Sequence, residues 1–304
     1  MTRVDLHLHS TASDGQYSPT QVVQLALEKQ VEVISLTDHD TLAGVQEALD
    51  AARSSEDVTV IPGVEISTDV PGKYEIHMLG YYVDVDYAPL QEQLSVMGES
   101  RLNRARKIWE RLAQMGCTVS WERVLGLAGD GVVGRPHIAQ VLVEAGYAES
   151  VQDAFQRYIG RNAGAYVPRP KLLPQEAIEL ILEAGGVPVL AHPSYVVEHI
   201  PSLVRAGLAG LEVYYGSYSE VEQQFLARLA HKHGLIATGG SDYHGPQVLD
   251  SADIGGVDVP WSVVEELESA RDRIRKRGSR PRPPGGLETG LVQDAQTNSN
   301  RVNR

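Results

Sequence analysis

The sequence predicts an α/β protein built on a mostly parallel sheet, either open or closed into a barrel. Three observations point there. Short β-branched runs alternate with helix-like segments, the βαβα rhythm that parallel strands need for their crossovers. The strand-like runs, such as "RVDLHLHS", "VEVISLTDHD" and "VPVLAHPS", are apolar and then finish on His or Asp. Finally, one region from about residue 97 to 168 leaves the rhythm and is rich in helix patterns, so it reads as an inserted cap.

Taken in order, "RVDLHLHS" is a strand whose Val4, Leu6 and Leu8 face one way and whose Asp5, His7 and His9 face the other. "SPTQVVQLALEKQ" follows as a helix, with Ser18 as N-cap and Pro19 at the first helical position. "VEVISLTDHD" is a second strand ending at Asp38, His39 and Asp40, and "LAGVQEALDAARSS" a second helix. A strand pair, "VTVIPGVEIST" and "YEIHMLGYYV", comes next. In the cap, "ESRLNRARKIWERLAQMG" and "GRPHIAQVLVEAGYAES" carry amphipathic periodicity. Beyond it lie the helix "LPQEAIELILEAGG" and the strands "VPVLAHPS", "GLEVYYG", "LIATGGSDYHG" and "ADIGGVDVP". The domain organisation expected is a barrel from residues 1–96 and 169–277, a cap from 97–168, and a disordered tail from 278–304, where Gly, Pro, Asn, Gln and Arg replace apolar residues. Just before that tail, Arg271, Arg273, Arg275, Lys276 and Arg277 read as a solvated helix end favoured by the helix dipole, with RNA contact as the alternative.

Composition excludes some classes of function. A net charge of −13 argues against a protein that coats nucleic acid electrostatically. It does not exclude an anionic substrate, because bound cations reverse the charge locally. No run of 18 apolar residues marks a membrane span. The first residues run straight into a strand pattern and lack the apolar core of a signal peptide. The single cysteine, Cys117, excludes an internal disulfide and fits a reducing cytoplasm, the expected location.

The chemistry concentrates at strand ends. His7 and His9 share one strand face, and Asp14 lies in the loop beyond. Glu65 sits in "PGVEIS" and His77 in "YEIHML", and with His39, His192, Asp242 and His244 nearly all lie at the carboxyl end of a strand or just past it, where barrels and open parallel sheets build their sites. These nine groups exceed what one four- to six-coordinate cation needs, so two or three metal ions are expected, with a carboxylate bridging them. A mixed shell of imidazole and carboxylate suits Mn2+, Fe2+ or Zn2+ better than Mg2+ or Ca2+. His231 and His233 have the spacing of His7 and His9 but fall in a helical stretch, where i and i+2 point roughly 200° apart, so they read as exposed. His199 also lacks a ligand context.

The motifs "DLHLHSTASDG", "LTDHDT", "GVEIS", "IHMLGY", "AHP" and "SDYHG" resemble, in order and over residues 2 to about 258, the signature of the PHP (polymerase and histidinol phosphatase) domain family. The resemblance implies a distorted seven-stranded (β/α) barrel holding a trinuclear metal site, with no departure at any of the nine positions. It implies that His7, His9, Glu65 and Asp242 bind one ion, that Glu65 bridges to a second held by His77 and His192, and that Asp14, His39 and His244 hold the third. Within the family, "GRPHIAQVLVEAGY" and "AFQRYIGRNAGAYVPR" look like the branch of nucleoside 3′,5′-bisphosphate phosphatases and RNase AM, which carries a helical insertion. That branch implies removal of the 3′-phosphate from bisphosphonucleotides and 5′→3′ trimming of short 5′-phosphorylated RNA.

The expected chemistry needs no protein nucleophile. A hydroxide bridging manganese ions would attack phosphorus in line, since a metal-bound water drops to a pKa near 7 from about 15.7. No GxSxG elbow or glycine-rich phosphate loop offers another route. Arg135 is expected to anchor the 5′-phosphate with its planar fork, His137 to be a second donor, and Arg169 and Lys171 to add positive charge at the cap–barrel junction. Asp38 and Asp40 flank His39 and are expected to orient a ligand, with Asp40 also a candidate proton acceptor. The competing expectations are a phosphatase for a small metabolite such as histidinol phosphate, and a non-catalytic, metal-stabilised interaction module. No stable protein partner is expected.

Overall fold

The computed structural model describes residues 3–70, 74–246 and 252–278. The apolar run after residue 2 forms β1 (Arg3–Leu8), and Ser18 opens α1 (Pro19–Glu28) with a complete capping box: its side chain accepts from the Gln21 N–H while Gln21 returns to the Ser18 backbone. β2 (Val31–Leu36) lies parallel to β1, and α2 (Val45–Ala52) leads to β3 (Thr59–Val70), parallel to β2. A short connection then forces reversal: β4 (Tyr74–Tyr81) pairs antiparallel with β3, since parallel neighbours need a long crossover.

Between β4 and β5 (Val187–Leu190) the chain leaves the sheet. α3 (Ala88–Gln114), α4 (Trp121–Ala128), α5 (Arg135–Glu144), the single turn α6 (Val151–Ala154) and a π-helical turn, Phe155–Ile159, follow. α3 already starts at Ala88 and carries its buried Leu90, Leu94 and Met97 into the barrel's apolar cluster. Its later residues Ala105, Ile108 and Leu112 join a separate cluster with Val124, Ile138, Leu142 and Ile159, made from residues of this helical region alone. Truncating Ile108 there would cost about 2–5 kcal/mol by the usual cavity effect.

The sheet resumes with α7 (Pro174–Glu183), β5 antiparallel to β4, and a short α8 (Ile200–Ala206). β6 (Gly210–Tyr215), α9 (Glu220–His233) and β7 (Ile236–Gly240) complete it, with β5, β6 and β7 mutually parallel. The order runs β1 through β7, and Leu8 bridges to Tyr243 just past β7, so the seven strands nearly close into a barrel. α10 (Ser262–Gly278) packs Val263, Val264 and Leu267 against the starts of the strands. Among the described residues, no helix is long and apolar enough to cross a membrane.

Residues 252–260 do not form the strand expected from "ADIGGVDVP". Gly255 adopts φ +68 and donates its N–H to Asp5 Oδ2 at 2.8 Å, and Ile254 and Val259 are buried from a loop. The expected C-terminal tail lies outside the described residues, apart from Gly278, which ends α10. His231 is exposed and His233 partly so, both in the last turn of α9.

Candidate metal centre

Alternation along β1 carries His7 and His9 to the barrel mouth, and both are fully buried. β7 passes close enough that a Cβ on Gly240 would meet His7 N at 2.4 Å, which is why a glycine stands there. The chain then turns through Asp242 at φ +54, and after β5 it turns through His192 at φ +29. Both are left-handed conformations that cost energy in a non-glycine residue, and both aim their side chains at the mouth. Asp38 accepts from Ser10 N–H (2.8 Å), Ser10 Oγ–H (2.7 Å) and Ser13 Oγ–H (2.6 Å). It therefore pins the loop that presents Asp14 and does not touch an imidazole through these bonds.

All nine groups meet at one rim, although Glu65 and His77 lie within β3 and β4 and not at their ends. His7 Nε2 lies 3.2 Å from Glu65 Oε2 and 3.3 Å from Asp242 Oδ1, and His9 Nε2 lies 3.2 and 3.0 Å from the same two oxygens. His39 Nδ1 is 3.0 Å from Glu65 Oε2, while His77 Nδ1 and His192 Nε2 are 2.8 and 3.2 Å from Glu65 Oε1. His244 Nε2 and His39 Nε2 stand 3.5 and 3.9 Å from the two Asp14 oxygens. Three overlapping groups are able to hold a cation: His7, His9, Glu65 and Asp242; His9, Asp14, His39 and His244; and His39, Glu65 and His77. Edges near 3 Å are those of a polyhedron with ligands about 2.1 Å from its centre.

The donor set fits cations by a second criterion. Buried polar atoms normally find hydrogen-bond partners, and each failure costs about 1–3 kcal/mol. Here His9 Nδ1 and Nε2, Asp14 Oδ1 and His39 Nδ1 are buried and make no hydrogen bond of good geometry, although carboxylate or imidazole atoms stand close to each. Elsewhere in the site the lone pairs are aimed. Glu212 Oε1 takes the His7 Nδ1–H at 2.8 Å, and the Asp242 carbonyl takes that of His244 at 2.8 Å, which leaves each Nε2 free as a ligand atom. Glu212 Oε2 also accepts the His192 backbone N–H at 2.7 Å.

Proton and cation compete here. Burial alone would lower the His9 imidazole, but the Asp242 and Glu65 carboxylates outweigh it and push it up to about 10. His77 is likewise pushed to about 9 by Glu65 and Glu75 against its burial, whereas burial wins at His39, which falls to about 3. Despite burial, Glu65 and Asp14 are held well below the ordinary carboxylate range by the imidazoles around them.

A cationic cluster adjoins this rim beneath the helical region. Arg135, at the start of α5, sets Nη2 3.0 Å from Glu75 Oε2 and stacks its guanidinium 5.3 Å from the centre of the Phe155 ring in the π-helical turn. Lys171 also pairs with Glu75, and burial lowers its ammonium to about 8. Arg169 Nη2 and Arg101 Nε reach Asp40 Oδ2 at 2.8 and 2.6 Å, and Asp40 Oδ1 accepts the Ser67 N–H at 2.7 Å. Arg104 is buried with its Nε donating to the Val167 carbonyl at 2.9 Å. Five cations thus face two carboxylates, Asp40 and Glu75, and Arg169 keeps Nε and Nη1 buried and unpartnered. His137 Nδ1 accepts the Gly134 N–H at 3.0 Å, so its proton sits on Nε2.

The sequence profile of the PHP domain family matches residues 5–245. The chain belongs to the PHP domain family. Among its PHP relatives is the 5′-3′ exoribonuclease Rnm of Salmonella typhimurium, 39% identical over 80% of this chain and 85% of that protein. The 3′,5′-nucleoside bisphosphate phosphatase of Chromobacterium violaceum is 32% identical over 81% of this chain and 88% of that one. A crystal structure from Bifidobacterium adolescentis, described as a metal-dependent phosphoesterase, superposes with a TM-score of 0.81 at 30% identity, covering 89% and 96% of the two chains.

Several residues of this PHP site were not anticipated from sequence. Glu212 stands alone as a carboxylate in the apolar run "GLEVYY", a signal that a strand's polar residue has a buried task. Glu75 lies two residues before His77 on the same strand face. Arg101 and Arg104 gave no signal, because α3 also carries Arg106, Lys107 and Arg111, and nothing local sets two of these cations apart.

Proposed function

We propose that this PHP protein is a manganese-dependent phosphoesterase that removes the 3′-phosphate from nucleoside 3′,5′-bisphosphates and trims short 5′-phosphorylated RNA from its 5′ end. The observation that carries this is the adjacency of two built features: nine convergent ligand groups, and a partly buried cluster with three more cations than carboxylates. A monophosphate needs the first feature. A substrate with a second phosphate uses both. The relatives that act on RNA 5′ ends and on bisphosphates fit the same division.

In this account, bound ions supply an activated water and neutralise the oxygens of the scissile phosphate. His7, His9, Glu65 and Asp242 would hold one; Glu65 and His77 would hold a second, with His39 in the same group and His192 Nε2 3.2 Å from Glu65 Oε1; and Asp14, His39 and His244 would hold a third together with His9. Glu212 keeps His7 in the tautomer that offers Nε2. The 5′-phosphate takes the Arg135 fork over from Glu75, and His137 offers a neutral Nε2–H because burial lowers its pKa. Arg169 and Lys171 complete the anion's surroundings. Asp40 has both oxygens engaged, and Arg101 and Arg169 hold its pKa below the ordinary value against burial. It therefore positions two guanidiniums and is a poor proton acceptor, contrary to the expectation from sequence. Residues 97–168 serve as the cap that brings Arg101, Arg104, Arg135 and His137 over the barrel of residues 1–96 and 169–277.

The test is a substrate panel with the manganese-loaded protein. A 3′,5′-bisphosphonucleotide should release phosphate and a 5′-phosphorylated tetranucleotide should release mononucleotides, each at least about tenfold faster than histidinol phosphate is hydrolysed. Preference for histidinol phosphate, or no turnover of the first two, would overturn the proposal.

A further inference from the structure

We propose that Tyr195, backed by Tyr215 and Tyr218, is a stacking platform for the second nucleoside of 5′-phosphorylated RNA, the one that retains the scissile phosphate on its 5′-oxygen. This rests on the phosphoesterase function proposed above and assigns a subsite to it.

The geometry is asymmetric. On one side of the rim, His77 Nε2 lies 3.4 Å from Glu75 Oε1, and Glu75 leads to Arg135 and Lys171. The His192 ring is 5.1 Å from that of His77, and beyond His192 the lining becomes aromatic. Tyr195 lies 6.4 Å from His192 with the rings only 15° from parallel, and Tyr215 lies 6.0 Å from it. Tyr218 sits 4.9 Å from Tyr215, and its hydroxyl accepts the Ser194 N–H at 3.2 Å, tying it to the turn that carries Tyr195. Tyr215 donates its hydroxyl to Asp242 Oδ2 at 2.8 Å.

Tyr195 is 52% exposed, unusual for an aromatic ring beside a buried site. It is nonetheless held in place. It ends the short 3-10 turn Pro193–Tyr195, whose proline fixes one backbone angle, and its hydroxyl lies 3.3 Å from His192 Nδ1. A ring that is exposed yet pre-oriented loses little freedom when a planar group lands on it. Nucleobases are such groups, and stacking on aromatic side chains is how single strands are commonly held without sequence preference.

Chain polarity says which base arrives. With the 5′-phosphate in the cationic cluster and the next phosphate at the rim, the first ribose spans the gap between them. The second nucleoside must then emerge on the far side, where the tyrosines stand. A 3′,5′-bisphosphonucleotide has no second nucleoside, so the platform separates RNA from mononucleotide without touching the chemistry the two share.

The test uses the manganese-loaded protein and a 5′-phosphorylated tetranucleotide whose first linkage is a non-cleavable phosphonate, with 2-aminopurine at the second position. Stacking on Tyr195 should quench the fluorophore in the wild type and in Tyr195→Phe, which keeps the ring and loses the hydroxyl with its contact to His192. Tyr195→Ala should abolish the quenching and weaken binding about tenfold, within the range for one lost base–aromatic stack. In turnover, the ratio of KM for the cleavable tetranucleotide to KM for the bisphosphonucleotide should rise at least about fivefold in Tyr195→Ala and hold steady in Tyr195→Phe. Absent quenching in the wild type, or equal affinity and an equal KM ratio in Tyr195→Ala, would overturn the proposal. Quenching by a protein that hydrolyses neither substrate would instead remove the phosphoesterase function and leave the platform standing.

Discussion

Replacing Asp40 by Asn should destabilise the protein by about 3 kcal/mol, the lower end of the range for uncoupling a buried ion pair from one side. Asp40 is 1% exposed, and its Oδ2 carries the pairs to Arg101 at 2.6 Å and Arg169 at 2.8 Å. The Arg169 side chain is only 2% exposed, so it has no water to turn to. Asn retains an acceptor for the Ser67 N–H and tolerates the φ of +54 found here, so the substitution removes charge without adding backbone strain. With a typical urea dependence of about 1–3 kcal/mol per M, the unfolding midpoint should fall by about 1 M or more. The pH dependence has a definite sign. The Asp40 pKa is lowered in the folded state, so its contribution is fully present above the ordinary value of 3.8 and is lost as pH falls through the folded value. The gap between variant and wild type should therefore stay open from neutral pH down to about 4 and close on further acidification. Inorganic phosphate should recover part of the lost stability, by binding the two uncovered guanidiniums. A midpoint within about 0.2 M of wild type at pH 7 would refute the reasoning, because two buried cations cannot lose their counter-charge at so little cost.

Loading manganese onto the metal-free protein at pH 7.5 should release about three protons per chain in a weakly buffered titration, since, against its burial, the carboxylates around it hold His7 well above the ordinary imidazole range, His9 and His77 are pushed to about 10 and 9, and all three must give those protons up to become ligands. Affinity for the ion should accordingly rise with pH through the neutral range, and proton-free uptake would contradict this assignment. Arg135→Ala should raise KM for 5′-phosphorylated substrates by at least about tenfold, the loss of one charge-assisted contact of roughly 1.5–3 kcal/mol, and spare substrates lacking that phosphate; equal loss on both would show that Arg135 does not anchor the 5′ end.

Much of this site was legible in the sequence because it follows local rules. Two-residue alternation put His7 and, just past β1, His9 on one side, and His192 follows the end of β5 as expected, whereas Glu65 and His77 lie within the longer β3 and β4 and not at their ends. Ser18 and Pro19 announced α1 through capping chemistry that depends only on neighbouring residues. What was missed depends on contacts distant in sequence. Asp40 looked like a proton acceptor until Arg101 and Arg169, 61 and 129 residues away, were seen to occupy it. "ADIGGVDVP" has a strand's composition, yet Asp5, 250 residues from Gly255, captures that N–H and holds a loop. Tyr195 carries no motif at all, and its place beside His192 follows from the turn that Pro193 starts.

Crystals grown with manganese and measured at a wavelength where manganese scatters anomalously test the central claim most directly. Three peaks are predicted, each inside one of the groups gathered around Glu65 and Asp14, and all within ligand distance of the imidazoles that line the barrel mouth. An anomalous map without peaks among these side chains, from a protein that still hydrolyses the bisphosphonucleotide, would contradict the account.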